Sequence, residues 1–168
     1  MIQSSFDDVT FSGSASFAQA VFPERVAFAR TRFEKAADFT EAQFGQDRVS
    51  FQSVVFSGSC SFAQARLAET TLFSGVKSHG PVVFDGAIAP SKFLTFQRCL
   101  FGSDLSMRGL VTGYDTKVMF TECELADGGT LDGSMVGLGA WVNHGSVPIE
   151  AFDLAKPHER GRISSISG

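Results

Sequence analysis

The 168-residue chain has one tryptophan and one tyrosine, so an ordinary mixed aromatic core is excluded. It has three cysteines, an odd number without close pairing. That fits a reducing cytoplasm better than a secreted disulfide scaffold. No apolar run reaches about 18 residues, so no segment reads as a membrane-spanning helix. The first six residues lack both a basic stretch and an apolar stretch, so no signal peptide is expected. The formal net charge is only -4, and the isoelectric point is about 5.3. These values give no strong field and no basic patch, so direct nucleic-acid binding is not expected.

What the chain does have is phenylalanine, 18 residues of it. One aromatic type used this often points to one structural slot used many times. A first series runs Phe6, Phe17, Phe28, Phe39, Phe51, Phe62, Phe73, Phe84, Phe96, Met107, Phe120, Leu131. Most steps are eleven residues, with single insertions near Val49 and Leu94 and a longer one between Met107 and Phe120. A second series follows about five residues behind: Phe11, Phe22, Phe33, Phe44, Phe56, Leu67, then Phe101, Leu125 and Val136, with Ser78 and Ala89 where rings are missing. Two residues before each ring stands a small or β-branched residue, such as Val9, Ala20, Thr31, Ala42, Val54, Ala65, Val76 and Ala87.

Alternating steps of five and six match neither a helix nor a long strand. The motif small-x-Phe puts two side chains on one face of a very short strand. A corner must follow each strand, and four sides close one coil of about 22 residues. Stacked about 4.8 Å apart, the coils bury each ring between its neighbours, which a single coil cannot do. About six coils are expected up to Trp141, a rod of roughly 30 Å. Ser12-Gly13 and Ser57-Gly58 supply corner chemistry.

The segments Ala15-Ser16-Phe17-Ala18-Gln19-Ala20-Val21-Phe22 and Ala37-Asp38-Phe39-Thr40-Glu41-Ala42-Gln43-Phe44 resemble pentapeptide-repeat proteins. They are most similar to the Phe-rich subgroup with an extra residue at alternate corners. The resemblance covers about residues 4–136. It implies an all-β fold, a right-handed quadrilateral β-helix, with the handedness coming from the resemblance alone. A left-handed hexapeptide-repeat helix would need a strict period of six with aliphatic anchors, which this chain lacks. The expected organisation is a β-helix over residues 1–136, a C-terminal cap or dimer contact over 137–155 and a flexible tail over 156–168.

No acid, base and nucleophile set converges in this register, so a non-catalytic protein without cofactor or metal is expected. Cys60, Cys99 and Cys123 fall in the small inward slot and read as core fillers. His79, His144 and His158 lack ligand spacing. Asp127-Gly128-Gly129-Thr130-Leu131-Asp132-Gly133 is similar to calcium-binding repeat turns but occurs once.

Two irregular places stand out. Residues 78–93 lose their second-series rings, and either Phe93 folds inward to fill the gap or Pro81 and Pro90 bend the coil. Residues 108–117 read as a loop projecting from one corner.

Over residues 101–150 there are seven acidic residues against Arg108 and Lys117. The candidate partner-binding residues are therefore Glu122, Glu124, Asp127 and Asp132, with Tyr114 and Asp115 from the insertion. The expected function is a scaffold for a protein partner. The alternative, which the family resemblance implies, is a DNA mimic regulating a type II topoisomerase, DNA gyrase, and protecting it from poisons. Against that alternative stands the mild net charge. The resemblance also implies a homodimer through the C-terminal end.

Overall fold

The computed structural model describes residues 3–90, 92–144 and 162–165. Four parallel sheets run along the rod, and the chain visits them in strict rotation. The first face stacks Gln3–Ser5, Arg25–Ala29, Arg48–Gln52, Thr70–Ser74, Phe93–Gln97, Lys117–Thr121, Ala140–His144 and Arg162–Ser165. The second stacks six two-residue strands, from Thr10–Phe11 to Glu124–Leu125. The third begins with Ala15–Ser16 and Ala37–Asp38, and the fourth with Val21–Phe22 and Gln43–Phe44. In the distal coils Leu105–Thr112 and Leu131–Gly137 are single strands that pair along both the third and the fourth faces. No described helix is long and apolar enough to cross a membrane.

The alternation of five and six has a local cause. From Phe6 to Phe11 and from Phe17 to Phe22 the step is five, and those corners turn through one left-handed residue. Asp8, Arg30, Ser53, Gly75, Arg98 and Glu122 take φ of 50° to 62° at the first corner. Gln19, Glu41, Gln64 and Gly86 do so at the third, with φ of 55° to 65°. At that third corner Ala20, Ala42, Ala65 and Ala87 donate backbone bonds to the carbonyls of Phe17, Phe39, Phe62 and Phe84, at 3.0 to 3.1 Å. The other two corners use an extra residue, as at Gly13 and Glu24, and so turn without this conformation in most coils. A left-handed non-glycine residue costs roughly 1–2 kcal/mol. It persists here because its N–H is tied to the next coil, as in Gln19 to the Thr40 carbonyl at 2.9 Å.

The core is a set of ring columns. Along the first face Phe6, Phe28, Phe51, Phe73, Phe96 and Phe120 stack with centroids 4.7 to 5.0 Å apart. Along the third, Phe17, Phe39, Phe62 and Phe84 stack at 4.8 to 4.9 Å. The two columns meet edge to face: Phe51 touches Phe39 and Phe62 at 5.7 and 5.4 Å, with planes 86° and 85° apart. Stacked and T-shaped contacts are the favoured aromatic geometries, each adding about 0.5–1.5 kcal/mol to burial.

Beyond the fourth coil the core changes composition without changing shape. The inward pair of the third face runs Ala37 and Phe39, then Leu105 and Met107, then Leu131 and Gly133. On the fourth face it runs Ala42 and Phe44, then Leu110 and Thr112, then Met135 and Gly137. Volume moves from one slot to the other, as close packing demands.

Three expectations are corrected. Leu131 occupies the small slot and not the ring slot, and Val136 points outward at 41 % exposure while Met135 is buried. Residues 108–112 remain in the strand Leu105–Thr112, so the projecting turn is confined to residues 113–116. Phe93 does not fold inward and is 42 % exposed.

The solenoid also continues past residue 136. Ala140–His144 pairs in register with Lys117–Thr121, and Trp141 is buried. Arg162–Ser165, in the expected tail, pairs with Ala140–His144. The rest of the expected cap and tail, residues 145–161 and 166–168, lies outside the described residues, as does the expected dimer contact beyond His144.

Phe51→Ala removes a ring held on four sides, and a loss of about 3–5 kcal/mol is expected in chemical denaturation. Phe11→Ala, at the half-buried end of its column, is expected to cost less than half as much. Gly80→Ala would place a Cβ 2.6 Å from the Gly58 carbonyl oxygen, whereas a Cβ at Gly13 meets nothing within 4 Å. Gly80→Ala should therefore lower stability by more than about 1 kcal/mol, and Gly13→Ala should be neutral within about 0.5 kcal/mol in the same assay.

Candidate functional site

Strand alternation leaves one outward position per side in each coil, and these positions form columns along the rod. On the fourth face the column reads Val21, Gln43, Arg66, Ile88, Val111, Val136. It turns wholly apolar from Ile88 onward. The neighbouring corner adds Tyr114, 84 % exposed at the tip of the 113–116 turn, and Leu138, 64 % exposed. Phe93 opens the first-face strand beside the same corner and pairs with Lys117. Thus five of the seven exposed large apolar residues among those described, Phe93, Val111, Tyr114, Val136 and Leu138, gather at one distal edge. The turn that presents Tyr114 is fixed from beneath. The Gly113 N–H donates to Thr116 Oγ1 at 3.0 Å, and Thr116 Oγ1 donates to the Ala89 carbonyl at 3.0 Å.

Cations border this edge. Arg66 lies one coil below Ile88 in the column, and Lys92 and Lys117 lie at the corner. Lys92 is hydrogen-bonded to Glu69, which raises its pKa, with a smaller contribution from Asp115. Arg66 and Lys117 are both exposed and have no ion pair among the described residues. The edge therefore offers apolar surface with Arg66 and Lys117 at its margin and Asp115 beside Tyr114 at its tip.

The six residues expected from the sequence do not form one surface. Glu122, Glu124 and Asp127 are exposed and follow one another along the sixth coil, across the first corner, the second face and the second corner. Asp132 has turned onto the third face, half-buried, 3.2 Å from Arg108 Nε. Tyr114 and Asp115 stand at the diagonally opposite corner. The acidic character does not extend down the rod: Glu124 stacks on Leu100, below which come Lys77 and Val55. Much of the surface charge is instead matched between coils, as in Asp8 with Arg30 at 2.6 Å, Arg25 with Asp47 at 2.5 Å and Asp85 with Arg108.

The apolar edge is hidden in the sequence because the periodicity of large side chains puts Val136 inward. The outward column, read one residue before each ring slot, would have found it.

Apart from Ser78, whose buried hydroxyl has no hydrogen-bond partner, the inward core is largely apolar. Cys60, Cys99 and Cys123 are buried free thiols. Burial pushes the Cys60 thiol up, and contact with Cys123 together with burial pushes up that of Cys99. Among the described residues no three His, Cys, Asp or Glu side chains gather in a metal-sized group.

At the second corner Asp104 Oδ1 accepts from the Thr130 hydroxyl and N–H, each at 2.8 Å. These bonds hold its carboxyl below the ordinary aspartate value. A depressed value means that the contribution to stability is present above the unfolded pKa and is lost as pH falls through the folded one. Thr130→Val, which removes the hydroxyl, should move the Asp104 titration upward by carboxyl-carbon NMR and leave the Asp8 titration in place.

The comparisons agree with this geometry. Residues 3–43 match a protein family described as pentapeptide repeats (9 copies). No curated protein matches the chain, and no solved structure does. The matched residues make up nearly the first two coils: these coils are pentapeptide repeats, and the same parallel pairing register stacks the later coils on them.

Proposed function

We propose that this protein is a non-catalytic scaffold that binds another protein through its distal apolar edge. The observation that carries the reading is the gathering of Phe93, Val111, Tyr114, Val136 and Leu138 at one corner of a rod. Contiguous exposed apolar surface rimmed by polar groups marks interaction sites. The rigid coils beneath hold it in one shape, so little ordering entropy opposes docking. Arg66 and Lys117 at the margin favour a partner segment that carries carboxylates beside its apolar residues. The buried free thiols fit a reducing compartment, so the cytoplasm is the proposed location.

A second reading is regulation of DNA gyrase by mimicry of duplex phosphates. Glu122, Glu124 and Asp127 favour it, since they line one exposed path along the sixth coil. The acidic path is one coil deep, and this is why the scaffold reading stands first.

Leu138→Glu, at a largely exposed position, should keep the native melting temperature and reduce capture of the partner at least tenfold in quantitative affinity purification. Glu124→Gln should leave capture unchanged. Supercoiling by purified gyrase should be unaffected by the wild-type protein. Inhibition or drug protection at low micromolar protein, lost in Glu124→Gln and kept in Leu138→Glu, would instead establish the second reading.

A further inference from the structure

The fourth coil is the one place where the second-face ring column breaks, because Ser78 stands between Phe56 and Phe101. A small apolar cavity lies beside the vacated place, among Phe56, Phe73, Phe84, Phe96, Cys99 and Phe101. Each of these side chains is no more than 3 % exposed. The centre of a water-sized sphere can move through about 10 Å³ of it. The lining is carbon apart from the Cys99 sulfur, and Cys99 Sγ already donates to the Phe73 carbonyl at 3.4 Å. Ser78 is 2 % exposed, and its Oγ has no hydrogen-bond partner.

We propose that this break in the column is a binding site for one small, uncharged, apolar molecule of about xenon size. A buried water needs two to four polar partners. The residues that line this cavity present no polar oxygen or nitrogen to it, so water gains little by entering. An apolar guest restores the dispersion contacts that the missing ring leaves unmade. The flanking rings cannot close the gap. Their spacing is fixed by the backbone pairing of the coils, and Lys77–Ser78 remains bonded in register to Val55–Phe56 and Leu100–Phe101. The site is independent of the distal edge and of any partner there.

The test is crystallography of the whole chain under xenon pressure. A xenon peak between Phe56 and Phe101 is expected in the wild type and in Ser78→Ala, which removes only the hydroxyl. Ser78→Phe rebuilds the column, so the peak should vanish and the melting temperature should rise by several degrees. An empty cavity in the pressurised wild type, an ordered water on Ser78 Oγ, or undiminished xenon in Ser78→Phe overturns the proposal. Because the wild type and Ser78→Ala decide the question by themselves, the test holds even if the larger side chain is not accommodated.

Discussion

A single length governs this molecule. Paired strands lie about 4.8 Å apart, and parallel phenyl rings here lie 4.7 to 5.0 Å apart along the first face. Backbone pairing and ring stacking therefore ask for the same rise per coil. Each inward phenylalanine falls directly over the one before it and meets the opposite column edge on. Because neither requirement strains the other, the same two-residue strand can be repeated around four sides and stacked without a conventional core.

That agreement is bought locally at the corners. A five-residue step leaves no slack, so one residue must enter the left-handed region, and Asp8, Arg30, Ser53, Gln19, Glu41 and Gln64 all do. A six-residue step adds the slack and mostly avoids the conformation. The surface charges follow the same geometry. Residues 22 to 24 apart become neighbours, so Asp8 meets Arg30 and Asp85 meets Arg108. Exposed pairs of this kind contribute little stability.

Much of this architecture was legible in the residues. Phenylalanine spacing gave four sides, the coil length and the inward role of Cys60, Cys99 and Cys123. The distal coils were harder, for a specific reason. Large side chains mark the register, and their volume there moves from the ring slot to the slot two residues earlier. Leu131 and Met135 are large where Ala37 and Ala42 are small, while Gly133 and Gly137 take the places of Phe39 and Phe44. A register tracked by size slips at such a point, and with it went Val136 and the apolar edge. The left-handed corners were hidden for another reason: glycine is the usual marker of that conformation, and here mostly polar non-glycine side chains occupy it.

The weakened fourth coil has a bearing on how the chain gains and loses its structure. In a solenoid each coil is held chiefly by the two beside it, so cooperativity passes from neighbour to neighbour like a signal along a wire. Ser78 and Ala89 thin that coupling at one level, where two of four rings are absent. That level separates proximal coils knit mostly by ring columns from distal coils in which the first-face rings Phe96 and Phe120 run on beside aliphatic side chains. Under denaturing stress the boundary between them is where transmission first fails, and the proximal block can then outlast the coils that carry the exposed apolar edge.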